Sequence, residues 1–312
     1  DVATSENSIQ ESIAQIYIQI LYAAESVRVN ENTLQVSIAQ RDRGQELLNA
    51  GSIAKSDFAQ LEAQVSTDRY QLVTAQATLQ DYKLQLKQLL ELDGENEMNI
   101  YLPALSDENV LSPLPAKRDV YVSALALRPE IEASKLNVNA SELGIDIAKS
   151  GSLPTVSLSA GIGTNHTSGS DFTFGEQVKN GWNNSIGLSV SVPIFNNRQT
   201  KSAVQKAKLQ YETSMLSLLD EQKALYKTIE GLWLDANSAQ QRYAAANEKL
   251  KSTQISYNLI SEQFNLGMKN TVELLTEKNN LLQAQQEQLQ AKYMAILNTQ
   301  LLKFYQGDKL AL

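Results

Sequence analysis

The sequence has no cysteine and a single histidine, His166, among its 312 residues. Without cysteine there is no disulfide scaffold, no cysteine-ligated zinc site and no thiol nucleophile. One histidine disfavours a multi-histidine metal site, and its Gly- and Ser-rich surroundings predict an exposed loop. The sequence also shows no phosphate-binding loop and no catalytic triad pattern, so we expect neither an enzyme nor a bound cofactor or metal.

Proline, aromatic residues, basic charge and long apolar runs are also scarce. Six prolines leave long stretches open to helix, and an aromatic content of 6% indicates an aliphatic core. The net charge of −8 and a pI near 4.9 argue against nucleic acid as a partner. No apolar run reaches the roughly 18 residues of a membrane helix, so any membrane-spanning part would have to consist of strands.

Four segments carry apolar residues at the spacings of 3, 4 and 7 that are typical of helices and coiled coils. These segments are 8–48, 58–92, 198–264 and 271–305. The third segment alone predicts a helix about 100 Å long. A helix of that length indicates a coiled coil or a helical tube rather than a compact globule.

Two short joints connect these segments in pairs. Each joint has one glycine, Gly51 or Gly267, that can take the left-handed position at a helix end. An acidic residue, Asp57 or Glu273, follows each joint and suits the start of the next helix. Each joint therefore predicts the tip of an antiparallel helical hairpin.

The two hairpins match each other at an offset of 216 residues, without gaps. This offset places Gly51 on Gly267 and Asp57 on Glu273, which indicates an internal duplication with two structural halves. Because residue 1 maps onto residue 217, we expect the first repeat to be incomplete at its N-terminus and to lack counterparts of about residues 118–216.

The predicted organisation has three parts. They are a first-repeat helical hairpin at 1–94, a proline-containing connector at 95–117, and a second repeat at 118–312 that comprises a short helix from Pro129, a β-hairpin at 154–194 and a long helical hairpin at 196–305.

Two stretches in the second repeat alternate with a period of two. Their apolar positions include Val156, Leu158, Ile162, Ile186, Leu188, Val190 and Val192. The intervening positions are small and uncharged, which fits membrane strands with lipid on one side and water on the other. A soluble hairpin with one face on a core fits the alternation as well. The long attached helix favours the membrane interpretation, because no nearby core could cover the strands.

Together these features resemble the TolC-like outer-membrane efflux family. The resemblance rests on three motifs: Arg128-Pro129-Glu130 before the first strand, Val192-Pro193-Ile194-Phe195 after the second strand, and Leu266-Gly267 followed by Val272-Glu273-Leu274-Leu275 at the second tip. One departure is Thr276, which stands where some members carry a second acid.

The resemblance implies a mainly α fold with long antiparallel helical hairpins of the coiled-coil α-barrel type and a β-hairpin that contributes to a membrane β-barrel. It implies a homotrimeric channel in the outer membrane of a Gram-negative cell, extending into the periplasm. The implied partners are a periplasmic adaptor protein, an inner-membrane transporter and outer-membrane lipid.

The tips are the predicted functional site. We predict that Asp57 and Lys269, from neighbouring hairpins, hold the tunnel end closed and that Glu273 faces its lumen; solvated helix-end charges are the alternative. We expect the adaptor to contact Gly51, Leu266, Gly267 and Met268.

Two other functions remain open at this point. A periplasmic adaptor also carries a helical hairpin, but duplicated hairpins together with alternating strands count against it. A purely structural coiled-coil protein would leave the strand pair unexplained.

Overall fold

The computed structural model describes residues 2–92, 100–101 and 110–310. In chain order, the elements are α1 (Val2–Asn49), α2 (Lys55–Leu89), α3 (Lys117–Leu127), α4 (Pro129–Ser150), β1 (Thr155–Gly163), α5 (Phe174–Asn180), β2 (Asn183–Ser191), α6 (Gln199–Asn265) and α7 (Thr271–Gln306). The predicted mainly α fold is confirmed.

The four long helices form where the periodicity predicts them. The predicted segment 198–264 corresponds to α6, a single helix of 67 residues. Good helix formers fill these helices, and Gly231 is the one glycine within α6. Within the described residues, no helix combines the length and the apolar character needed to cross a membrane.

A single residue, Arg128, separates α3 from α4. Proline disfavours the helical conformation in the residue before it, and Arg128 is accordingly extended, with φ −74° and ψ 124°. Pro129 takes the first position of α4, where its missing N–H is not needed. The sequence patterns did not predict α3, which begins at the last residue of the predicted connector 95–117. Residues 95–99 and 102–109 of that connector lie outside the described residues.

The chain divides into two compact units, and the larger one lies within residues 1–132 and 222–312. Its main core is formed by α1, α6 and α7. Residues of this core include Ile18, Leu21, Tyr243, Ile296 and Leu301. All five are buried, and four of them are aliphatic, in agreement with the low aromatic content of the sequence.

The smaller unit, Ala133–Glu221, contains the strand pair. β1 and β2 are antiparallel, and their register runs from Thr155↔Ser191 to Gly163↔Asn183. The strand β2 ends before the predicted limit at 194, because Pro193 has no N–H to donate to a ladder.

The segment between the strands contains a short helix that the alternating pattern did not predict. Thr173 Oγ1 accepts the Glu176 N–H at 3.4 Å, and Glu176 Oε2 accepts the Thr173 N–H at 2.9 Å. This reciprocal capping box starts the short helix α5. The repeat boundaries at 1–94, 95–117 and 118–312 describe a duplication in the sequence and stay a prediction.

Candidate gate at the hairpin tips

Both hairpin tips use the same backbone turn. At each tip, the glycine N–H bonds to the carbonyl three residues back, and the next N–H bonds to the carbonyl five residues back, at 2.8–2.9 Å. Gly51 and Gly267 have φ angles of 71° and 72°. Glycine adopts this left-handed conformation without steric cost, and the bond pattern is that of a Schellman motif. The same turn at both tips is what a duplication of one hairpin would produce.

The returning helices begin with side-chain caps. At the start of α7, Asn270 Oδ1 accepts the Glu273 N–H at 2.9 Å and Glu273 Oε2 accepts the Asn270 N–H at 3.3 Å. At the start of α2, Asp57 Oδ2 accepts the Ala54 N–H at 3.3 Å. Because alanine has no side-chain acceptor, α2 makes only half of a capping box. Both of the predicted acids therefore act as helix caps.

The charged residues of the predicted gate make local contacts. Lys269 Nζ donates to Glu273 Oε1 of the same hairpin at 2.5 Å. This bond is the main reason why the pKa of Glu273 lies below its ordinary value, and the Asn270 N–H lowers that pKa further. The structure thus brings Lys269 and Glu273 together, while Asp57 caps its own helix. The link between Asp57 and Lys269 of neighbouring hairpins stays a prediction.

The tips themselves present apolar side chains to solvent. Leu266 is 74% exposed and Met268 is 71% exposed. Gly51 and Gly267 are also exposed and face open space. An exposed apolar surface at the end of a hairpin suits contact with another protein. The adaptor contact predicted at these four residues remains a prediction.

An apolar cluster joins the two hairpins directly behind the tips. It consists of Leu47 of α1, Leu61 of α2, Phe264 of α6 and Leu274 of α7, all of them buried. Arg43 Nη2 of α1 also donates to the Asn265 carbonyl at 3.1 Å. A cation at this position favours the C-terminal end of α6. The ends of all four helices are therefore packed as one bundle.

A second connection between the hairpins is polar and buried. We call Ser37 of α1, Asp68 of α2 and Lys278 of α7 the buried polar cluster. Lys278 Nζ donates to Asp68 Oδ2 and to Ser37 Oγ, and Ser37 Oγ donates to Asp68 Oδ2. The three residues are at most 3% exposed. Burial lowers the pKa of Lys278, and the hydrogen bond and charge of Asp68 oppose this effect.

The strand pair in the smaller unit has two distinct faces. Residues directly opposite each other share a face, and the register pairs Val156 with Val190 and Leu158 with Leu188. The opposite face carries Ser157 paired with Ser189, along with other small residues. Val156, Leu158, Ile162, Ile186, Leu188 and Val190 are each at least 60% exposed. The predicted Val192 lies just beyond the end of β2 and is 57% exposed.

Comparison with known proteins decides the family. A family model described as outer membrane efflux protein matches residues 120–307, more than half of the chain. The chain belongs to this family. Its relatives include the outer membrane efflux protein BepC of Brucella suis biovar 1 (strain 1330), 24% identical over 294 residues, with 94% of this chain and 61% of that protein covered. Outer membrane protein TolC of Escherichia coli (strain K12) is 25% identical over 308 residues, with 95% and 60% covered.

This member of the outer membrane efflux family spans about 60% of the length of those curated relatives. A crystal structure of CusC has a TM-score of 0.81 at 18% identity, and the match covers 98% of this chain and 70% of that one. The structural match confirms the predicted fold class. The family confirms the resemblance and the predicted location in the cell outer membrane. It is a family of efflux channels and not one of enzymes.

The buried polar cluster of this efflux protein was not predicted from the sequence, although the sequence contains a signal for it. Asp68 continues the apolar series Leu61, Val65 with heptad spacing. Lys278 similarly stands between Leu274 and the next apolar positions of α7. A charge at a core position indicates a buried side chain that needs a partner, but the pattern does not say which residue that partner is.

Proposed function

We propose that this efflux protein forms, as a homotrimer, a channel through which exported molecules cross the outer membrane and the periplasm. Passage is passive and involves no covalent chemistry. An inner-membrane transporter loads the channel, a periplasmic adaptor protein binds the hairpin tips, and the tips act as the gate. This proposal extends the family's role in efflux to a specific assembly and mechanism.

The observation that carries the proposal is the two-faced strand pair. Its apolar face is exposed to an extent that a soluble protein would not favour, since Leu158 is 75% exposed and Ile186 is 84% exposed. Outer-membrane lipid would cover this face, and the small residues opposite, such as Ser157 and Ser189, would face water. In the described residues β1 and β2 pair only with each other, so both outer edges are open to strands of neighbouring subunits.

The tip bundle supports the position of the gate. Two hairpins of one chain end side by side, and the charged side chains Asp57, Lys269 and Glu273 lie at the turns. In a trimer, three copies of Asp57 and Lys269 would lie at one level and could link neighbouring hairpins. The Lys269–Glu273 bond seen in one chain would then exchange for a Lys269–Asp57 bond, which leaves Glu273 facing the narrowed lumen.

The exposed tip residues support the position of the adaptor. Leu266 and Met268 project from the second turn, and no described neighbour covers them. An adaptor that buries these side chains would also be placed to disturb the charges around Lys269. Binding and opening would therefore occur at the same surface.

Single-channel conductance of the full-length protein in lipid bilayers tests the proposal. We expect wild-type protein to conduct mostly in a small, closed-like state, and Asp57→Ala and Lys269→Ala variants to open more widely or more often. The double variant should be non-additive, because both substitutions remove one link. Lys249→Ala is the matched control, since it removes a 2.7 Å ion pair with Glu287 that joins α6 to α7 within one hairpin, away from the tip.

The outcomes separate the parts of the proposal. Wild-type conductance in both single variants would remove Asp57 and Lys269 from the gate. Absence of any conductance from the wild-type protein in bilayers would reject the channel itself.

A further inference from the structure

The buried polar cluster, Ser37, Asp68 and Lys278, joins three helices and both hairpins. Lys278 lies on the second hairpin, and its partners lie on the two helices of the first. Gln64 Nε2 completes the cluster by donating to Asp68 Oδ1 at 2.9 Å. Both carboxylate oxygens of Asp68 therefore accept hydrogen bonds although the residue is 1% exposed.

Charges in this position are exceptional within the protein. Among the described residues, only Asp68, Lys278 and Arg128 are both charged and buried. The remaining buried residues of α2 are Leu61, Val65 and Leu86, and those of α7 are otherwise uncharged. The leucines on the contacting faces of the two hairpins repeat at similar spacings, so apolar packing alone would allow more than one register. The ion pair between Asp68 and Lys278 can form in only one register.

A buried ion pair adds little net stability compared with apolar packing, but a buried charge without its partner is strongly unfavourable. If α7 slid or rotated on α1 and α2, Lys278 would stay buried and lose Asp68. If the hairpins parted fully, water would solvate both charges. The pair thus penalises intermediate arrangements more than it penalises full separation.

We propose that the buried polar cluster is a register lock between the two hairpins, which permits α7 to be docked in a single register or parted from α1 and α2, but not to slide along them. The lock is a property of the hairpin pair. Its consequence for transport rests on the proposed channel function: the tips would then open in an all-or-none step rather than by gradual twisting.

Distance measurements between the tips test the lock. The chain has no cysteine, so Ser52→Cys and Met268→Cys provide two unique sites for spin labels, one on each exposed tip. The labelled full-length protein is diluted with unlabelled protein so that only distances within one chain are measured. We expect a single narrow distribution in this otherwise unsubstituted protein.

The decisive variant replaces the ion pair by apolar residues, Asp68→Leu with Lys278→Met. We expect this double variant to fold with a thermal midpoint near that of the parent, because apolar packing compensates for the lost pair. Its distance distribution should nevertheless broaden or gain a second population of about 10% or more, because the register is no longer specified. If the cluster only stabilised the fold, this double variant would show a lower thermal midpoint together with any change in its distance distribution.

Two further variants complete the test. Lys249→Met removes only an exposed ion pair within the second hairpin and should keep the narrow distribution. Ser37→Ala removes one hydroxyl and should broaden the distribution partially. A single narrow distance in the Asp68→Leu/Lys278→Met variant would overturn the register lock and leave the channel proposal intact. Missing conductance would reject the channel without affecting these distances.

Discussion

Replacing Arg128 by methionine is expected to destabilise the larger unit strongly. The Arg128 guanidinium is only 5% exposed, and Nη2 lies 2.9 Å from Glu11 Oε1 on α1. Its Cζ lies 3.5 Å from the ring centre of Tyr305 and 4.9 Å from that of Phe304, both on α7. One side chain therefore connects the α3–α4 junction to two long helices.

The size of the effect follows from burial. Removing one partner of a buried ion pair costs about 3–5 kcal/mol, and a desolvated cation–π contact contributes up to about 2 kcal/mol. The Glu11 side chain is 25% exposed and remains partly hydrated when unpaired. We therefore expect a loss of about 3 kcal/mol, at the lower end of that range, with methionine retaining the contacts of the aliphatic stem.

A second cation in the same unit provides the control. Lys117 lies 4.6 Å from the ring centre of Trp233 and pairs with Glu230 at 3.2 Å, but the two charged side chains are 35% and 40% exposed. Because water screens this pair, Lys117→Met should cost at most about 1 kcal/mol. Urea unfolding measures the loss in free energy of unfolding for both variants. The loss follows from the shift in the urea midpoint, provided that the dependence of the free energy on urea concentration is unchanged. Losses for the two variants that agree within about 0.5 kcal/mol would refute the argument from burial.

Three further outcomes are expected. Leu158→Arg should cost about 2–4 kcal/mol of membrane insertion and Ser157→Arg much less, measured by heat-modifiable assembly in outer membranes; equal effects would reject the assigned orientation. Gly267→Ala should lower the thermal midpoint through about 1 kcal/mol of backbone strain at φ 72°, whereas Gly231→Ala inside α6 should raise it slightly. The fold lowers the pKa of Glu273 from its ordinary value of 4.5, so the ionised carboxylate stabilises the folded protein. This stabilisation is complete above pH 4.5 and is lost as the pH falls through the lowered pKa. Glu273→Gln should therefore make the thermal midpoint less sensitive to acidification.

Local sequence signals predicted much of the candidate gate. The glycines at the tips require left-handed backbone, and the acids after them suit helix starts, so both turns and the return of each helix were predictable from short segments. The contacts of Lys269 were less predictable. A lysine near a helix start can reach an acid on its own hairpin or on a neighbouring one, and the choice depends on distances in three dimensions.

The sequence by itself determined the helical class, the lengths of the long helices, the hairpin tips and the two faces of the strand pair. All of these follow from periodicity or from turn residues, which act over a few neighbouring positions. Only the tertiary structure decided that Lys278 meets Asp68 and Ser37, and that Arg128 stacks on Tyr305. These partners are separated by 210, 241 and about 180 positions in the chain, and no local rule relates them. Their pairing depends on which seam positions of α1, α2 and α7 come to face each other when the hairpins pack.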